Sequence, residues 1–258
     1  MKRVGVVALN TFREAVRDRV LYNLLFFALV MMAASIIAGQ ISIGIQETVI
    51  VTLGLSAISL IGLLISIFIG VGLVSKEMDK RTLYAVLAKP VRRWEFLVGK
   101  FAGLVLTLAV NVAAMGIGLF LALIYVKPAL ERGDATVLTA VYFIWLKLAL
   151  VVALALLFSC FTTPLLAILF TAGIYIVGLY VQELRNMPIE VMSRGMTLFT
   201  KWLSYLLPNF ENFDIMAKAA HSRQVPATLV AQNTLYAAIY CAIVLSAAVL
   251  VFSRRNLK

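Results

Sequence analysis

The sequence predicts an all-α polytopic membrane protein: six transmembrane helices, an N-terminal amphipathic interfacial helix, a short cytoplasmic helix between spans two and three, and short outer helices between spans five and six. Composition is the first observation behind this. Of 258 residues, 63% are hydrophobic and 14% charged, and mean hydropathy is +1.01, far from soluble usage. The second is that the Leu-, Ile-, Val- and Ala-rich runs are continuous over the roughly 20 residues that cross hydrocarbon, rather than alternating as barrel strands do. Helices satisfy their own backbone groups in lipid, so this pattern folds as a helical bundle.

The whole chain, 1–258, reads as a single transmembrane domain. Spans are expected at about 20–40, 48–74, 101–126, 137–159, 165–183 and 229–252. The second and third exceed the roughly 20 residues a crossing needs, so they should tilt or project beyond the membrane. Met1-Lys2-Arg3 has the charge of a signal-peptide start, but the next apolar run begins only at Val20 and no small-residue cleavage site follows it cleanly. No cleaved signal is expected.

Orientation follows from the basic residues. With the N-terminus in the cytoplasm, the inner segments hold 15 of the 23 Lys and Arg against five acids, and the outer segments hold seven against seven. Lys147 alone falls inside a span. This asymmetry places both termini in the cytoplasm. The net charge of +11 therefore reports topology and anionic lipid rather than nucleic acid.

Residues 1–19 form an amphipathic helix, with Val4, Ala8, Phe12, Ala15 and Val16 at helical spacing. It anchors the chain at the headgroups or contacts a partner. On the outside, 184–228 is too long for a mere connection. Its 190–206 stretch divides into a Met192, Met196, Phe199, Trp202, Leu203 and Leu206 face and a polar face, Pro208 ends it, and a second short helix is expected around 214–222.

Several chemistries lack their residues. His221 is the only histidine, neither a P-loop nor a GxGxxG run occurs, and Cys160 and Cys241 both fall within spans as packing residues. No catalytic residue, metal site or bound cofactor is expected. An intramembrane enzyme would need paired carboxylates, a Ser-His or Ser-Lys constellation or a metal cluster in the spans, and the one ionisable residue deep in a span is Lys147.

Two polar features remain within the membrane. Thr52, Ser56, Ser59, Gly62, Ser66 and Gly70 put a small, weakly polar stripe along one face of span two, either for helix packing or as part of a route between subunits. Lys147 must snorkel, find an interhelical partner or line a substrate route, because an unattended charge there costs several kcal/mol. Asn111 in span three is placed to bond across helices. Ser56, Ser59, Ser66, Asn111 and Lys147 are thus the candidate route residues.

The strongest signal is the charged stretch 75–100 between spans two and three. Thr82, Leu83, Val86 and Leu87 give a short helix one apolar face, Pro90 ends it, and Arg92, Arg93 and Trp94 re-enter the interface. Gly99 and Gly103 then form a small-xxx-small pair that permits close helix approach. A short helix parallel to the membrane acts as a lever on both flanking spans.

The pattern Glu77, Thr82-Leu83, Leu87, Pro90, Arg93 and Gly99-Lys100 resembles the coupling-helix region of ABC-2 type transporter permeases, whose type V exporter-like architecture matches the whole chain. Many members carry Gly before the Thr, where this chain has Arg81. Asp79-Lys80-Arg81-Thr82-Leu83 and the tail look most like the subgroup that includes nitrous-oxide-reductase maturation permeases. The resemblance implies an exporter half: two such chains, a homodimer or related heterodimer, each docking a separate ABC ATPase that binds ATP and Mg. It assigns Glu77, Arg81, Thr82, Leu83, Leu87, Pro90 and Arg93 to ATPase docking. From the residues alone, a membrane scaffold or sensor that recruits a soluble partner without transport stays open.

Overall fold

The computed structural model describes residues 2–42, 44–79, 92–126, 132–186 and 207–254. These form helices α1 (Lys2–Val16), α2 (Arg19–Ile41), α3 (Gln46–Asp79), α4 (Arg93–Val126), α5 (Thr136–Ser159), α6 (Pro164–Leu179), α7 (Val181–Asn186), α8 (Met216–Ala220) and α9 (Ala227–Arg254), with 3-10 turns at Arg132–Ala135 and Glu211–Phe213. The described chain is all helical, as its composition requires. Most of the 75–100 loop and the amphipathic stretch 190–206 lie outside the described residues.

Five helices, α2, α3, α4, α5 and α9, are long and apolar enough to cross a membrane. Together with the shorter apolar α6 they make a multi-pass membrane protein. At 34 residues each, α3 and α4 run about 50 Å, well beyond the roughly 30 Å of hydrocarbon. Both extend past their expected spans at the same end, α3 on to Asp79 and α4 back to Arg93.

Direction alternates through the bundle. Phe96 of α4, Cys160 after α5 and Phe252 of α9 meet in one apolar cluster at one end. At the opposite end the first turn of α3 meets the end of α8, where Thr48 Oγ1 donates to Ala220 O at 3.3 Å. There too Thr136 Oγ1, at the start of α5, donates to Arg223 O at 3.0 Å. Arg13, Glu14, Arg93, Glu95, Lys100 and Arg254 lie toward the first end, and Glu47, Asp134, Glu211, Asp214, Lys218 and Arg223 toward the second.

The centre of the bundle is α5. Every side chain from Leu146 to Leu156 is buried, which a helix apolar all round achieves only when neighbours surround it. Small residues bring α3 against it: a Cβ at Gly62 would stand 2.4 Å from Leu148 Cδ1, and one at Gly70 would stand 3.2 Å from the Ala155 Cβ. The Gly62–Gly70 part of the predicted stripe is thus helix packing, while Thr52 and Ser56, nearer the start of α3, are exposed.

The fifth apolar run is divided. The 165–183 stretch becomes α6, which stops at Leu179, and the six-residue α7 after a break at Tyr180. The cause is tertiary, because the chain from Pro208 onward lands on the end of α6. Phe210 N donates to Gly178 O at 3.1 Å. A Cβ on Gly178 would lie 2.6 Å from the Phe210 ring and 2.7 Å from Pro208 O, so only glycine admits this approach. Phe210 and Phe213 are then buried, Phe213 edge-on to Phe143 of α5 at 6.3 Å between centroids. The segment from Pro208 onward therefore dips into the bundle, and its short helix forms at 216–220 within the expected 214–222.

Candidate functional site

Lys147 sits near the middle of α5 and is 3% exposed. A charge in that position must be met by polar groups. Its Nζ donates to Ser59 Oγ of α3 at 2.8 Å and stands 5.9 Å from the ring centroid of Tyr175 on α6. The Tyr175 hydroxyl also engages Ser59, and the Asp214 carboxylate acts electrostatically on both Lys147 and Tyr175. Three membrane helices thus share one polar cluster, in which cation–π attraction adds to the hydrogen bond. Of the readings open for Lys147, the structure realises the interhelical partner. Its ammonium is held inside the bundle and does not snorkel.

The remaining route candidates do not join it. Ser66 Oγ donates to Leu63 O within its own helix at 2.8 Å. It lines, with Thr107 and Gly70, a cavity of about 10 Å³, room for about one water. Asn111 corrects an expectation: its Nδ2 donates to Thr107 O at 2.8 Å, one turn back on α4, and not across helices. A buried amide facing apolar neighbours takes the backbone acceptor its own helix offers. Ser56 is exposed and makes only a weak 3.8 Å contact with Met216 Sδ. Of the five, the structure brings together Ser59 and Lys147. Tyr175 completes the cluster although it was not a candidate.

A second site lies at the Phe96–Phe252 end of the bundle, where the chain enters α4 from the charged loop. Glu95 begins α4 by accepting from Arg92 N at 2.9 Å, the return half of a capping box. Arg93 Nη1 donates to Phe252 O at 3.0 Å and Ser253 O at 2.9 Å, and its guanidinium lies over the Phe252 ring. The final carbonyls of a helix have no partner within it and carry its negative dipole end, so the guanidinium serves as the cap of α9. One turn on, Phe96 stacks on Phe252 at 6.2 Å.

The same helical turns hold α1. A Cβ on Gly99 would come within 2.7 Å of Val7 side-chain atoms, and one on Gly103 within 2.5 Å of Ala8 O. The small-xxx-small pair therefore seats the N-terminal helix, giving that amphipathic segment a partner inside its own chain. Between the two glycines, Lys100 is buried and its Nζ reaches Glu14 Oε2 of α1 at 3.5 Å. The first three turns of α4 are consequently fastened to both α1 and the end of α9.

Among the docking candidates, Arg93 is thus placed in full. Glu77 lies in the last turn of α3, while Arg81, Thr82, Leu83, Leu87 and Pro90 lie outside the described residues. Among the described residues no three His, Cys, Asp or Glu gather as metal ligands, and Cys160 and Cys241 are separate buried thiols.

A family model described as ABC-2 family transporter protein matches residues 6–257, nearly the whole chain. The match is to the family and not to a subgroup within it. No curated protein sequence matches the chain.

Proposed function

We propose that this chain, which belongs to the ABC-2 transporter family and is thereby the membrane permease of an ABC transporter, works as an exporter driven by a separate cytosolic ATPase. Two permease chains pair, identical or related, and each engages one ATPase, which supplies the ATP and Mg chemistry. In this reading both termini and the 75–100 loop are cytoplasmic, in a prokaryotic inner membrane.

The observation that supports the coupling is the fastening at the start of α4. The loop is continuous with α3 on one side and with Arg93 on the other, so a push on Glu77, Arg81, Thr82, Leu83, Leu87 and Pro90 reaches both helices. Through Arg93 and the Gly99–Gly103 seat it also reaches α9 and α1. Four helices then move together from one docking surface. Arg93 acts as the strut behind that surface, since two carbonyls of α9 already occupy its Nη1. Displacement of α3 against α5 would work directly on the Ser59–Lys147 bond, which couples that pair to the loop.

Reconstitution of the chain with an ABC ATPase tests the reading. The expected result is vanadate-sensitive ATP turnover that depends on the chain, with ATP-dependent cargo accumulation in inside-out vesicles. A stable complex with a partner that binds no nucleotide, and no turnover, would instead identify a scaffold.

A further inference from the structure

The N-terminal helix α1 has two unlike faces, and the chain itself uses only one. Val4, Val7, Ala8 and Thr11 supply the atoms nearest to Gly99 and Gly103 of α4, and Thr11 and Ala15 are fully buried. The apolar stripe by which an interfacial helix ordinarily enters lipid is therefore occupied by α4.

The opposite face is exposed. Arg3, Val6, Asn10 and Arg13 follow one another at intervals of three or four residues, and Arg17, in the turn that closes α1, continues the row. Leu9 stands beside them; it is 48% exposed and Val6 68%. Glu14, at the border of this face, is turned to Lys100 at 3.5 Å, and Asp18 follows the helix. The face itself thus carries three guanidinium groups and no carboxylate.

Its place in the bundle decides what it meets. The apolar span of α2 opens at Leu24, about two helical turns past Arg17. Between them Tyr22 is 54% exposed, an aromatic of the kind that marks the level where hydrocarbon gives way to headgroups. Arg13 and Arg17 therefore stand within reach of the headgroup layer, where a guanidinium pairs with a phosphate through two parallel hydrogen bonds. Exposed Val6 and Leu9 fit the same level, since apolar groups among arginines settle at the boundary of headgroups and acyl chains.

We infer that this face of α1 binds the headgroups of anionic phospholipid. Such lipids bring the net negative charge that three arginines without a carboxylate require, whereas a zwitterionic headgroup brings its own cation to the contact. Because α1 is seated on Gly99 and Gly103 and joined through Glu14 to Lys100, lipid charge at the surface holds the first turns of α4 in place. The inference rests on the membrane-spanning fold and not on the direction of transport or on the coupling to an ATPase.

The test is hydrogen exchange of the full chain in lipid nanodiscs, comparing dioleoyl phosphatidylcholine alone with an equal mixture of dioleoyl phosphatidylcholine and dioleoyl phosphatidylglycerol. The expected result is exchange over residues 2–16 slowed at least about 5-fold by phosphatidylglycerol. Arg13→Gln combined with Arg17→Gln should remove most of this protection. Arg13→Lys combined with Arg17→Lys should keep at least half of it on charge alone, and Arg254→Gln, exposed at the end of α9, should leave it unchanged. Should the paired Gln variant unfold, shown by fast exchange over α5, Arg13→Gln alone decides, with a loss of protection of at least about 2-fold expected. Equal exchange in the two bilayers, or full protection by phosphatidylglycerol retained in the Gln variants, would overturn the inference. Protection that arises only on adding a soluble ATPase would assign the face to a protein and overturn it as well.

Discussion

The Lys147 ammonium, buried midway along α5, donates to the Ser59 hydroxyl of α3 at 2.8 Å. This bond joins the central helix of the bundle to the helix that leads into the charged loop, so its energetics bear on both folding and coupling.

Ser59→Ala removes the acceptor and leaves a buried ammonium less well satisfied, and is expected to destabilise by about 1–3 kcal/mol. Adding Lys147→Met, which fills similar volume without a charge, should recover most of that loss. A double-mutant cycle read from thermal unfolding checks this; additive effects would show that the bond carries no coupling energy. Lys147→Met alone should leave assembly intact while altering the ATP turnover of the reconstituted complex. Unchanged turnover and transport would remove Lys147 from the mechanism.

Arg93→Ala uncaps α9. The expected loss is about 1 kcal/mol, because the guanidinium is partly exposed. Hydrogen exchange should localise it to residues near 250–254. Arg93→Lys retains the charge but not the planar group over Phe252, and should fall between.

Gly103→Ala drives a methyl into Ala8 O, which is backbone and cannot swing away. A loss of about 1–3 kcal/mol and faster exchange throughout α1 are expected. Gly173→Ala, with nothing within 4 Å of the added methyl, should be neutral or stabilising by up to about 1 kcal/mol. Equal effects at the two positions would mean that helix propensity, and not the seating of α1, sets the outcome.

Gly178→Ala should lift the outer segment off α6 by displacing Pro208 and Phe210. A cysteine placed at Phe210, buried in the parent chain, would then label with a membrane-impermeant maleimide in the Gly178→Ala background and stay protected without it. Protection in both backgrounds would show that the segment holds without this contact.

These residues also show what a sequence can disclose. Ser59 and Lys147 stand out because a hydroxyl at helical spacing and a lone charge are conspicuous in an apolar run, and the cost of the charge demands a partner. Tyr175 and Asp214 are invisible on that basis: an aromatic within an apolar span and an acid in the 184–228 segment are ordinary until the fold brings that segment inward. The same long-range event shortens α6, since the apolar run continues in composition through Tyr180 while the helix yields to Pro208 and Phe210. Arg93 was legible as a charge in a loop but not as a cap, because the carbonyls it meets at Phe252 and Ser253 are backbone atoms about 160 positions away. Asn111 points the other way, toward a local acceptor that competes with any interhelical bond. Long apolar helices are thus written in local composition, whereas the site depends on contacts that composition does not encode.

The central claim is that the 75–100 loop receives force from a nucleotide-hydrolysing partner. A photo-cross-linking amino acid at Leu87, activated in the native cell, tests it most directly when the adduct is identified by mass spectrometry. The account predicts a covalent adduct with an ABC ATPase, diminished by Leu83→Asp on the same face. Adducts only with lipid, or only with a protein lacking a nucleotide-binding motif, would contradict it.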